Sequence, residues 1–104
     1  MADQTARPIR YVVIHKPGPK WQYGVDYRQQ EGVDEHVRHY FGLYQQGKLE
    51  LGGPFLLPDM GGMMVATKDV SLEEIESFAA DDPAVKAGLL IYEIRPWMTA
   101  MEHE

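Results

Sequence analysis

Between residues 33 and 55 the apolar residues change from helical to strand spacing, with a glycine at the switch, and this constrains the fold more than any other stretch. Val33, Val37, Tyr40, Phe41 and Tyr44 recur at the spacing of one helical face, and Gly47 stands where a left-handed residue would close that helix. Directly afterwards Lys48 to Phe55 alternates Leu49 and Leu51 with Lys48 and Glu50, the period-two pattern of a half-buried strand.

The remaining segments fall in order around this pair. Tyr11 to His15 is a β-branched and aromatic run closed by Lys16-Pro17-Gly18-Pro19, a strand ending in a turn. A connection of about 15 residues follows, long enough to suggest a functional loop, and its Trp21, Tyr23 and Tyr27 argue for packing. Gly61 to Thr67 reads as a third strand. Ser71-Leu72-Glu73-Glu74 matches a capping box with Val70 and Ile75 as its hydrophobic staple, and Leu72, Ile75, Phe78 and Ala79 give the helix an inward face. Asp82-Pro83 ends that helix and restarts another turn up to Gly88, and Leu89 to Trp97 is the last strand. The order β-α-β-β-α-β is the ferredoxin-like arrangement, an α+β fold with a four-stranded antiparallel sheet and both helices on one face. The end strands are mainly apolar on both pleat faces, which predicts a homodimer packed through the open face of the sheet.

Length and composition limit the function classes. A chain of 104 residues fits one domain, with 1–9 and 98–104 expected as flexible tails. Sixteen acidic against ten basic side chains give a net charge of −6, which disfavours nucleic-acid and anionic-membrane binding. Without cysteine there is no disulfide, thiolate metal site or thiol nucleophile. The first ten residues hold no apolar run and no stretch is long enough to span a bilayer, so a cytoplasmic location is the expectation.

The chemistry centres on histidine. At about 100° per residue, His36 lies roughly 85° from the centre of the apolar stripe and His39 roughly 145°. His36 therefore sits at the boundary of core and solvent, where an imidazole can exchange protons with a ligand, while His39 is expected to point outward. Asp82 is accounted for by helix capping, but a cap uses one carboxylate oxygen and leaves the other to orient an imidazole; Asp81 competes for that role. His15, at a strand end, can reach a pocket mouth or be satisfied by local backbone. Trp21 can wall a ligand site or pack on the core. Gly52-Gly53-Pro54-Phe55 is not a phosphate loop, because no helix start, lysine or hydroxyl follows; its glycines suit a bulge or close backbone approach. A metal shared by His36 and His39 lacks a third ligand at suitable spacing, so neither metal nor cofactor is expected.

Four segments, HVRHYFGLYQQGKLELGGPF, GGMMVAT, FAADDPAVKAGL and YEIRPW, together with HKPGPKW near the start, resemble the YCII-related (YciI-like) family of dimeric α+β barrel proteins from Tyr11 to Trp97. The resemblance implies dimerisation through the sheets and a histidine-aspartate active pair, matched here by His36 and Asp82. It also implies likeness to a dehydrochlorinase of a chlorinated hydroxyquinol, to muconolactone isomerases and to cofactor-free monooxygenases. Relatives near extracytoplasmic sigma factors carry Asp-Gly-Pro-Phe where this chain has Gly52-Gly53-Pro54-Phe55, which weakens a regulatory reading.

The expectation is thus a cofactor-independent lyase or isomerase acting on a small aromatic or lactone-like molecule. His36 shuttles a proton, Asp82 orients it, and His15, Trp21 and Tyr92 line the cleft. The alternative is a non-catalytic small-molecule-binding or regulatory dimer.

Overall fold

A computed structural model describes residues 8–103. Strands β1 (Ile9–Pro17), β2 (Leu49–Pro54), β3 (Gly62–Ala66) and β4 (Leu90–Met98) form one antiparallel sheet in the order β2-β3-β1-β4. Helix α1 (Val33–Gln45) joins β1 to β2, and α2 (Leu72–Ala80) with the short α3 (Pro83–Lys86) joins β3 to β4. This is the ferredoxin-like α+β order expected from the sequence, with α1 and α2 packed on one face of the sheet.

Side-chain alternation decides which residues meet those helices. Tyr11, Val13 and His15 of β1 share a face with Met64 of β3 and with Tyr92 and Ile94 of β4, and these pack against Tyr40, Leu43, Ile75 and Ala79 of the helices, His15 through its ring contact with Tyr40. The opposite face carries Arg10, Val12, Ile14 and Lys16 of β1. The first and last strands of the chain run further than their apolar cores suggest, because the β1–β4 ladder continues from Ile9 opposite Met98 to Pro17 opposite Leu90. Arg10 and Lys16, which end the apolar run in the sequence, belong to that other face and so cost the ladder nothing. The C-terminal segment is also tied down: Thr99 N–H donates to the Pro8 carbonyl at 2.8 Å, and Arg10 Nη2 donates to Glu102 at 2.9 Å. The sheet therefore includes Ile9 and Met98; residues 1–7 and 104 of the expected tails lie outside the described residues.

Helix α1 closes as its glycine predicts. Gly47 takes φ 74°, its N–H donates to Tyr44 O at 3.0 Å, and Lys48 N–H donates to Leu43 O at 3.1 Å, a Schellman closure. Its rotation differs from the expectation. The side chains it buries are His36, Tyr40 and Leu43, whose mean direction is turned by roughly 75° from the centre of the stripe. Val37, Phe41 and Tyr44, expected in the core, are 56%, 53% and 56% exposed. His39 consequently does not point outward: its ring stacks on Phe78 at 3.9 Å and its Nε2–H donates to the Phe78 carbonyl at 2.7 Å.

Helix α2 starts at Ser71, whose hydroxyl accepts from Glu74 N–H, with Val70 and Ile75 both buried as a staple. Leu72, expected inward, lies exposed in the first turn, and Ile75, Phe78 and Ala79 make the contact instead. The bulge expected near the glycines falls between Leu49 and Leu51, and a Cβ on Gly52 would stand 2.3 Å from Met64 Sδ. Among the described residues no helix is long and apolar enough to cross a membrane.

Candidate active site

Three elements place titratable side chains at one point. Asp82 caps α3, its Oδ1 accepting the Ala84 N–H at 2.9 Å, with Pro83 at the first helical position. Its second oxygen, Oδ2, lies 2.6 Å from His36 Nδ1 on α1 and 3.9 Å from His15 Nε2 at the end of β1. Asp82 is fully buried and His15 nearly so. Asp81, the competing carboxylate, is exposed and pairs with Lys86 at 2.6 Å.

The Asp82 carboxyl remains an acid of low pKa despite its position. Burial raises it, but hydrogen bonding and charge from His36, the Ala84 N–H and His15 outweigh that and hold it below the ordinary value. An ionised carboxylate only accepts hydrogen bonds, so His36 Nδ1 must carry the proton it donates. Nε2, across the ring, is then the basic nitrogen of His36.

His15 behaves differently. Burial, then the neighbouring His36, push its pKa down to about 4 against the opposing pull of Asp82. It is therefore neutral at physiological pH. Its ring packs edge-on to His36 at 4.7 Å, and the Tyr40 hydroxyl lies 3.4 Å from its Nε2. Its Nδ1 is buried without a hydrogen-bond partner among the described residues. The Tyr40 hydroxyl, buried and close to the Asp82 charge, has its pKa raised and stays protonated.

His15, His36 and Asp82 also form a cluster whose ligand atoms lie within 4.8 Å of one another, as a metal would require. The contact between His36 Nδ1 and Asp82 Oδ2 has the 2.6 Å length of a charge-assisted hydrogen bond. Two atoms each about 2.1 Å from one zinc ion in tetrahedral geometry stand well over 3 Å apart. The spacing thus suits a shared proton better than a metal.

His36 and His15 open onto a cavity of about 710 Å³ between α1, β2, β3 and the first loop. The displaced half of the α1 stripe, Val37, Phe41 and Tyr44, forms one wall, and Leu49, Leu51 and Met64 line the opposite side. This explains the apparent excess of apolar residues on α1: part of the stripe packs on the sheet and part faces the cavity. Trp21 lines the loop side, its Nε1–H donating to Asp59 Oδ1 at 2.8 Å. Of the residues expected at the site, His36, Asp82, His15 and Trp21 are brought together. Tyr92 is not: it lies opposite His15 in the β1–β4 register, but its hydroxyl donates to Glu76 Oε2 at 2.6 Å under α2, away from the cavity. Its place opposite His15 in the ladder does not bring the hydroxyl to the cavity, because Glu76 of α2 holds it.

Three contributors escaped the sequence reading. Tyr40, taken as core, stands between His15 and His36. Asp59 adopts φ 60° and binds both Trp21 and Gly24 N–H. Gln30 knots the first loop through the backbone of Gln22 and Val25. The Pro-Asp preceding a Gly-Gly turn was the only available hint of Asp59; the Gln30 contacts leave no sequence signal.

A family model described as the YCII-related domain matches residues 9–98. No curated protein matches. Among solved structures, the chain is similar to the 5-chloro-2-hydroxyhydroquinone dehydrochlorinase of Burkholderia phenoliruptrix AC1100 in complex with 2,5-dihydroxybenzoquinone. Identity is 27% over 85% of this chain and 92% of that one, with a TM-score of 0.58.

Proposed function

We propose, on the premise that this chain belongs to the YCII-related domain family, that it is a proton-transfer enzyme acting on a small hydroxylated aromatic or lactone-like molecule. The observation that carries this reading is the 2.6 Å contact between buried Asp82 and His36, whose ring lines an open cavity. The structural likeness to a dehydrochlorinase that binds a hydroxylated quinone supports the substrate class.

In this mechanism Asp82 holds the His36 proton on Nδ1, leaving Nε2 to accept a proton from a substrate hydroxyl. The O–H electron pair becomes a carbonyl π bond as ring electrons take up a proton at carbon; where that carbon bears a leaving group, loss of a second hydroxyl proton then expels it as the anion. The first outcome is an isomerisation in which His36 returns the proton; the second is an elimination that releases the proton and the anion. The imidazolium formed on the way is stabilised by Asp82, whose carboxylate needs no reorganisation at that moment. Neutral His15 and the Tyr40 hydroxyl contribute dipoles beside the dyad without adding positive charge. No step requires a cofactor.

The test is chloride release from 5-chloro-2-hydroxyhydroquinone. The wild type is expected to turn it over, and His36→Gln to be slower by about 10²-fold or more. Saturable binding of this compound without chloride release would instead support the non-catalytic binder.

A further inference from the structure

We propose that the cavity selects an uncharged, fused-ring aromatic ligand bearing one acidic hydroxyl, and discriminates against the same skeleton carrying a carboxylate or phosphate. The inference rests on the reading that His36 meets the ligand, and adds what the walls require of the rest of it.

Size is the first argument. A cavity of about 150 Å³ holds benzene, whereas this one is about 710 Å³. A single ring reaching His36 would leave most of the apolar wall facing water.

Charge is the second. Among the described residues no lysine or arginine lines the cavity; apart from the histidines, the charged group on its wall is Glu50. The nearby cation is already engaged, because Arg10 pairs with Glu50 at 3.2 Å and with Glu102 at 2.9 Å. A ligand carboxylate would leave water for apolar walls with no counter-cation and with Glu50 and Asp82 nearby, which is costly. The oxyanion made from the acidic hydroxyl differs, since its charge arises together with the His36 imidazolium.

Shape is the third. Phe41 and Tyr44 stack at 5.8 Å with their planes 23° apart, giving α1 a continuous aromatic surface. Trp21, fixed by Asp59, stands on the loop side of the same cavity. Flat polycyclic faces match such walls better than flexible chains do.

Calorimetric titration of the full chain at neutral pH with phenol, 2-naphthol and 6-hydroxy-2-naphthoate tests the proposal. The expected result is that 2-naphthol binds at least about tenfold more tightly than phenol, since it buries an additional ring, and at least about tenfold more tightly than the naphthoate. Phe41→Ala, at a position already 53% exposed and so harmless to the fold, should weaken 2-naphthol about fivefold or more. His36→Gln leaves the walls intact and should keep the order of affinities even though turnover is lost, so failure of the acid-base reading and failure of this proposal are separable. Equal affinity for phenol and 2-naphthol, naphthoate binding as tight as 2-naphthol, indifference to Phe41→Ala, or no binding by any of the three would overturn it.

Discussion

Asp82 uses its two oxygens differently, one for the Ala84 N–H of α3 and one for His36, and this division makes the site testable at a single residue. Asparagine caps helices about as well as aspartate, so Asp82→Asn should preserve α3 while turning an N–H towards His36 Nδ1. The imidazole would then carry its proton on Nε2, the wrong tautomer for a base. We expect kcat to fall by about 10²-fold or more, measured alongside the circular dichroism spectrum to verify the fold. His15 supplies a second prediction. Its proton is bound near pH 6.5 in the unfolded chain but only near 4 in the folded one. Between those values the unfolded state holds more protons, so stability must rise with pH across that window and be complete above it. The change should be about 2 kcal/mol between pH 4.5 and 7, read from urea unfolding at the two pH values; a flat profile would contradict a neutral buried His15. The Asp82 contribution, with its depressed pKa, is lost only at lower pH, as the carboxylate protonates. The dyad was legible because a helical phase and an Asp-Pro cap are local signals. Tyr40 was legible only as an apolar position, since its role depends on where the end of β1 lies in space.

Helix α1 shows what periodicity can and cannot fix at the scale of an element. Its existence, its closure at Gly47 and its approximate bounds follow from spacing and turn chemistry. Its rotation does not, because an apolar stripe wide enough for both a sheet and a cavity has no internal mark separating the two. The same limit applies to Leu72, apolar and in phase yet exposed because the sheet is already covered by Ile75, Phe78 and Ala79. Two elements offer stability tests. Ser71→Ala removes the cap of α2 and should cost about 1 kcal/mol in denaturant unfolding. Gly61→Ala should be worse: at φ 76° its new Cβ would stand 1.9 Å from the His15 carbonyl oxygen, so the β3 entry would have to shift beside the site. A loss of about 2 kcal/mol or more is expected, and an unchanged midpoint would show that the two backbones do not approach as described.

At the scale of the whole molecule, the sheet face opposite the helices mixes apolar and charged residues. Val12 and Val65 are buried there and Ile14 and Met63 half-buried, while Glu93 pairs with Lys16 and Arg95 towards β4. We propose that the apolar part is the homodimer contact anticipated from the sequence. Sedimentation should then give a dimer, with Ile14→Glu shifting it to monomer; a monomeric wild type would contradict this. The β-α-β-β-α-β order was legible from element sequence alone, whereas the cavity emerges only when α1, the first loop and the β2–β3 edge are assembled. That assembly converges on one carboxylate: β1 supplies neutral His15, the cap of α3 supplies the ionised Asp82, and α1 supplies His36, bound through Nδ1 and lining the cavity. The most direct measurement is the tautomer of His36 by ¹⁵N NMR of the imidazoles in the intact chain. The account predicts a proton on Nδ1 and a bare Nε2, reversed in Asp82→Asn. A wild-type ring protonated on Nε2 and bare at Nδ1 would contradict it, because no base would then face the cavity.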